Sequence, residues 1–133
     1  MRRCASRNIS VEFVMRNLIK AFKALSDETR LRILNILMER ECCVCEVMQA
    51  LDISQTRASR NLSALYDASF LNMRKEGLWS PYSINYEGVK VCCPDLVEVV
   101  RKGLEGNDIV NMDRERLRKA ERIGPGCETT CCE

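Results

Sequence analysis

Histidine is absent from the 133 residues. That removes every site built on imidazole: Cys/His zinc fingers, mixed nitrogen–oxygen metal centres and histidine acid–base catalysis. A net charge is nearly absent as well. The balance is +2, so any nucleic-acid footprint has to be local. No apolar run approaches the roughly eighteen residues of a membrane span. Arg2, Arg3 and Arg7 are followed by no signal-type apolar segment, which predicts a cytoplasmic protein without a membrane partner. No phosphate-cradling glycine loop is apparent either, so a small thiol oxidoreductase or arsenate reductase finds little support.

What the chain does have is sulfur. Nine cysteines occur beside 46% hydrophobic and 30% charged residues, a composition that suits one soluble domain with a real core. In a reducing compartment such thiols point to soft-ion binding or redox chemistry rather than a disulfide framework. Three of them, Cys42, Cys43 and Cys45, fall within four residues. On an ideal helix Cys42 and Cys45 are neighbours, whereas Cys43 and Cys45 point apart, so binding one ion through all three requires a distorted first turn.

Directly after the thiols comes a short apolar-patterned segment, a turn at Asp52-Ile53-Ser54, and a polar, basic helix. Ser54 suits an N-cap. At about 100° per residue, Ala58, Leu62 and Leu65 fall in one narrow arc that must pack inward. Gln55, Thr56, Ser59, Arg60 and Ser63 share a different arc of roughly 140°, with Arg57 beside it. No acid interrupts 55–66. Gln and Arg suit paired hydrogen bonds to base edges, and Ser and Thr suit phosphates or either base. A solvated face is the ordinary reading of such an arc. A first helix and a turn ahead of it make it instead the second helix of a helix-turn-helix.

In chain order, residues 1–8 read as a flexible arm. Residues 9–106 read as the DNA-binding domain, 107–123 as a charged C-terminal helix and 124–133 as a flexible Cys-rich tail. Val11, Val14, Met15, Leu18, Ile19, Phe22 and Leu25 recur at helical spacing, with more apolar surface than the outer helix of a monomer needs. Ser26 is expected to cap the next helix, cored by Leu31, Ile33, Leu34, Ile36 and Leu37. From Phe70 the period changes to two. Residues 70–75 and 79–86 read as strands that reverse at Glu76-Gly77, with Arg74 and Lys75 at the tip within reach of phosphate. Pro94 fits the first turn of a later helix that closes at Gly103 and Gly106. The expected fold is mainly α with a small β-hairpin, a winged helix-turn-helix.

Ser26-Asp27-Glu28-Thr29-Arg30-Leu31, Cys43-Val44-Cys45-Glu46-Val47, Ser54-Gln55 with Ser59-Arg60-Asn61-Leu62, and Arg74-Lys75-Glu76-Gly77 with Trp79 and Tyr82 follow one another in order. Over roughly residues 20–86 the chain resembles the arsenic repressor (ArsR) family of metal-responsive winged-helix repressors. The resemblance implies a homodimer formed through the first and last helices. It implies binding to double-stranded operator DNA at an imperfect inverted repeat, and release when a thiophilic ion binds. As(III) or Sb(III) is the implied inducer, with Cd(II) or Pb(II) as the alternative. Cys43 and Cys45 carry over as ligands. The family's third cysteine is replaced here by Met48, a weak neutral donor. Cys42 is the nearest substitute, and Cys4, Cys92 or Cys93 are other sources. Cys127, Cys131 and Cys132 read as accessory. A thiol-redox-responsive repressor of the same fold is the remaining rival. The DNA-contacting set expected from the residues is Ser54, Gln55, Thr56, Arg57, Ser59, Arg60, Arg74 and Lys75.

Overall fold

The structure, a computed structural model, describes the chain from Arg2 to Ile123, with side chains from Glu12 onward except that of Cys92. The predicted tail 124–133 and the thiols of Cys4, Cys92, Cys127, Cys131 and Cys132 therefore lie outside the described residues.

Helix α1 spans Arg2–Leu25 and α2 spans Glu28–Leu37. Neither proline nor glycine interrupts the first 25 residues, and the helix takes in positions 2–8, where the sequence predicts an arm. The cap of α2 is Asp27, not Ser26. The Asp27 backbone is extended and its carboxylate accepts from Arg30 N at 3.1 Å, while the Ser26 hydroxyl donates backward to Lys23 O. Helix α3 (Val44–Leu51) and α4 (Gln55–Asp67) follow. Between them Asp52 adopts φ 57°, closing α3 with its N–H on Met48 O, and Ser54 Oγ accepts Arg57 N at 3.2 Å to open α4. These two caps set the turn.

Strands β1 (Leu71–Met73) and β2 (Tyr82–Ile84) pair antiparallel, Asn72 opposite Ser83. They are shorter than the alternation predicts. The hairpin continues to its tip through a bond from Arg74 N to Pro81 O at 3.2 Å and through Glu76 and Trp79, which exchange backbone bonds of 3.0 and 3.1 Å around Gly77-Leu78. Gly77, at φ 63°, takes the conformation that such a two-residue reversal requires at its first position. Helix α5 (Tyr86–Cys92) was not anticipated. Asn85 caps it through a bond from Gly88 N, converting the end of the expected strand into a turn of helix. Helix α6 spans Leu96–Gly103 and α7 spans Asp108–Lys119.

The core joins Ile33, Leu34 and Ile36 of α2, Val47 and Leu51 of α3, Ala58, Leu62 and Leu65 of α4, and Phe70, Leu71 and Ile84 of the hairpin. Truncating one of the leucines to Ala would cost about 2–5 kcal/mol. Helix α7 closes over this core through charge. Asp113 is fully buried and accepts two bonds from Arg32, at 2.9 and 2.8 Å, and one from Arg116 at 3.0 Å. The same guanidiniums donate to Leu51 O and Ala50 O, satisfying carbonyls left over at the end of α3. Helix α1 leaves Phe13, Met15, Ile19 and Phe22 about half exposed or more. No helix among the described residues is long and apolar enough to cross a membrane.

Candidate nucleic-acid interface and thiol site

Helix α4 buries Ala58, Leu62 and Leu65, as the arc predicts. Its opposite face is uneven. Thr56, Arg57, Arg60 and Ser63 are exposed, and Gln55 and Ser59 are half-buried and joined by a 2.8 Å bond from Gln55 Nε2 to Ser59 Oγ. Arg57 leans toward α2 and donates to Thr29 Oγ1 at 2.9 Å. Arg60 makes no hydrogen bond or ion pair among the described residues, which leaves its fork available. On the wing, Lys75 is exposed, with Ser80 Oγ 3.4 Å from its ammonium. Arg74 is committed internally: it binds Glu41, at the exit of α2, and Glu76, two residues on along the same arm of the hairpin.

The thiol segment divides into two faces. Cys42 is extended and forms an isolated bridge with Tyr82, through N–H···O bonds of 3.0 and 2.8 Å in the two directions. The start of the segment is thus a third, one-residue strand beside the hairpin. Successive side chains of an extended backbone point to opposite sides. Cys42 accordingly enters the main core, and Cys43 does not. Burial, helped by the Glu46 carboxylate, pushes the Cys42 thiol up to about 12 despite nearby Arg40.

Cys43 and Cys45 come together instead. Both are fully buried, and Trp79 packs on the pair, apart from the main core. The ideal-helix argument that would separate them fails because Cys43 is not in the helix. It is the N-cap, at φ −82° and ψ 168°, so its side chain folds over the first turn where Cys45 sits. The Trp79 indole Nε1 is buried without an acceptor. Among the described residues, no group of three or more Cys, Asp or Glu side chains is placed to hold an ion. Cys43 and Cys45 are placed together, Cys42 faces elsewhere, and Cys93 lies in the main core. An orphaned donor beside two packed thiols fits a thiolate-bound ion, for which the pair would supply two sulfurs.

Charge surrounds the pair. Glu46, 4% exposed, accepts Cys43 N at 2.8 Å, Arg40 Nη1 at 2.6 Å and Arg122 Nε at 3.4 Å. Arg122 also binds Glu76 and lies 5.8 Å over the Trp79 ring, within the range of a cation–π contact. The Glu76 bond, against burial and with help from Cys43 and Glu46, holds Arg122 well above its ordinary pKa. None of Glu46, Trp79 or Arg122 was singled out from sequence as part of the site. Cys43-x-x-Glu46 does have the spacing of a capping box, with Cys in the place of Ser or Thr, and that signal could have found Glu46. Nothing local ties Arg122 to residues that far upstream.

Residues 27–72 match the model of a bacterial regulatory protein family, the arsR family. Over 113 residues the chain is 48% identical to the arsenic resistance transcriptional regulator ArsR2 of Pseudomonas putida, covering 84% of this chain and 94% of that one. It is 43% identical over 72 residues to a cadmium resistance regulatory protein, a CadC homolog of Staphylococcus aureus, covering 53% and 60% respectively. Among solved structures it is similar to the homodimeric winged helix-turn-helix DNA-binding domain of a possible ArsR-family regulator from Mycobacterium bovis. That match has a TM-score of 0.61 and 28% identity, over 73% of this chain and 86% of that one.

Proposed function

The chain belongs to the arsR family of bacterial regulatory proteins, a family of winged-helix transcriptional regulators and not of enzymes, and from that premise we propose that it is a cytoplasmic, homodimeric repressor of a metalloid-resistance operon, released from its operator when arsenite or antimonite binds cysteine thiolates at the start of α3. The observation that carries this reading is the pairing of Cys43 and Cys45 under Trp79, one short helix away from the DNA-reading face of α4.

In this reading residues 9–106 read DNA and 107–123 close over α2 and α3, while α1 and α7 supply the dimer contact. Phe13, Met15 and Phe22 on α1 and Met112 on α7 offer the unpartnered apolar surface that such a contact buries. Thr56, Arg60 and Ser63 face the major groove, with Ser54, Gln55, Arg57 and Ser59 around them. Lys75 and Arg74 stand over the backbone. To induce, the ion binds the DNA-free state more tightly, and a coupling of about 1–3 kcal/mol suffices for useful release. Cadmium or lead is the second reading, favoured by the cadmium-resistance relative.

The test is an operator gel shift with arsenite, cadmium and peroxide added separately. Cys43→Ser and Cys45→Ser should retain operator binding and lose arsenite release. Release by peroxide alone would replace the ion with redox chemistry, and release by cadmium but not arsenite would select the second reading.

A further inference from the structure

We propose that Trp79 is the positioning residue that carries ion binding to the wing: an ion held by Cys43 and Cys45 lifts the indole off the pair, and the hairpin tip that bears Lys75 moves with it. The inference rests on reading that pair as ligands and says which part of the DNA-binding surface answers to it.

Trp79 belongs to two structures at once. Its ring packs on Cys43 and Cys45, apart from the main core. Its backbone closes the hairpin, with Glu76 N donating to Trp79 O at 3.0 Å and Trp79 N to Glu76 O at 3.1 Å. Glu76 directly follows Lys75, so one tight turn separates the cover of the thiols from the exposed cation of the wing.

The two ends of the hairpin rest on different supports. At the base Leu71 pairs with Ile84, both in the main core, and Pro81 is fully buried. The tip rests on the thiol turn. Trp79 lies on the pair, Arg122 bridges Glu76 to Glu46, and Arg74 binds Glu41. Glu41 and Glu46 flank the three cysteines in the chain. A shift at the thiols therefore meets a hairpin that is fixed at its base and loaded at its tip.

Occupying the pair requires room. Cys43 and Cys45 are fully buried, and half-buried Trp79 lies on them. A close-packed interior has no void for an added ion, so a neighbour has to give. The backbone of Cys43 is held by Glu46 at 2.8 Å, and Cys45 sits in the first turn of α3. The indole is the freer part. Its Nε1 is buried without an acceptor, so moving outward forfeits no hydrogen bond from that donor and opens it to water. Each As–S bond that forms replaces one As–O bond of As(OH)3, and the hydroxide leaves as water with the thiol's proton. The oxidation state is unchanged. This route reaches DNA through the phosphate contact of Lys75, without passing along α3 and α4.

The experiment uses the full chain and arsenite as the probe. Trp79 is the only tryptophan, so its exposure is read by quenching with neutral succinimide. Operator binding is read by anisotropy across a salt series, with and without arsenite at a concentration that calorimetry shows to be saturating. In the unmodified chain arsenite should raise the quenching slope and weaken operator binding by about 5–150-fold. The salt dependence should flatten by about one counterion per wing, and Lys75→Ala should show that flattening without arsenite. In Trp79→Ala the ratio of the two operator Kd values should fall below about twofold, and Trp79→Phe should restore it. An unchanged quenching slope in the unmodified chain would overturn the inference, as would a full ratio in Trp79→Ala. The quenching test needs no variant and stands even if Trp79→Ala does not fold. If instead Cys43→Ser responds to arsenite normally, it is the underlying reading of the pair that fails.

Discussion

Glu46→Gln is the substitution that reports on the centre of the site. The carboxylate is 4% exposed and serves three donors: Cys43 N, Arg40 and Arg122. Glutamine keeps one acceptor oxygen, enough for Cys43 N, and turns an amide donor toward guanidinium. Breaking a buried ion pair from one side costs about 3–5 kcal/mol when the other charge stays dry. Here Arg40 and Arg122 keep 40% and 25% of their side-chain exposure, so water recovers part of that penalty. A loss of about 1–3 kcal/mol remains. For a chain of this size that is a fall in Tm of roughly 4–12 °C. The assay is urea unfolding followed in parallel by Trp79 emission and far-UV circular dichroism, at fixed protein concentration because a dimer's stability depends on it. In a double-mutant cycle Glu46→Gln and Arg122→Ala should couple by at least about 0.5 kcal/mol. A loss below that figure in the single variant, or additive losses in the double, would refute the view that Glu46 holds the segment after α7 to the thiol turn.

Arg60→Ala should weaken operator binding by about 1–3 kcal/mol if the fork meets a base, or flatten the salt dependence by about one counterion if it meets phosphate, with unfolding unchanged; fluorescence anisotropy across a salt series separates the two. Arg74→Ala should weaken binding less, since Glu41 and Glu76 already occupy that side chain. Burial pushes the Cys42 thiol up to about 12 from the 9.0 of an exposed thiol, so its contribution is complete below about pH 9 and is lost as pH rises toward 12; urea midpoints should fall across that window, and Cys42→Ala should remove that part of the slope. Arg122 and then Arg74 hold Glu76 below the usual carboxylate range, and Arg74 does the same for Glu41. Their contribution is present above about pH 4.5 and lost as pH falls through the lowered values, so acid titration of Trp79 emission should show a step that Glu76→Gln weakens.

Much of the fold was readable because it is periodic. Ala58, Leu62 and Leu65 announce one buried stripe, and Glu76-Gly77 sits where the chain reverses. The site was readable only to the level of residue type. Whether Cys42 or Cys43 faces Cys45 depends on where extended backbone gives way to helix, and that depends on Cys42 pairing with Tyr82, forty residues away. A one-residue shift of that boundary would exchange the two thiols. Helix α5 was missed for a similar reason: an asparagine cap outweighed an alternating pattern. Arg74 reads as an exposed wing-tip cation until Glu41 is brought to it by the packing of α2 against the hairpin. Long-range ion pairs leave no local trace in a sequence, which is why Arg122 could not be placed.

The size of the coupling can be argued from the same contacts. Helix α4 is tied at both ends to the segment that carries the thiols. At its start, Asp52 and Ser54 hand α3 directly into α4. Near its end, the Tyr66 and Tyr82 rings meet edge to face with centroids 6.5 Å apart, and Tyr82 is the residue whose backbone pairs with Cys42. A displacement of the α3 N-terminus therefore reaches the DNA-reading helix from two sides, and a packed core transmits it rather than absorbing it. In the proposed induction, drawing Cys43 and Cys45 onto a common ion would compete with the bond from Cys43 N to Glu46, and through Glu46 with the hold on Arg122. Losing one charge-assisted hydrogen bond of this kind costs about 1.5–3 kcal/mol, which lies within the roughly 1–3 kcal/mol of coupling that the proposed induction would need. A large rearrangement of the fold is thus unnecessary. A change confined to the cap of one eight-residue helix is sufficient in energy, and it is placed where both the wing and the recognition helix are attached.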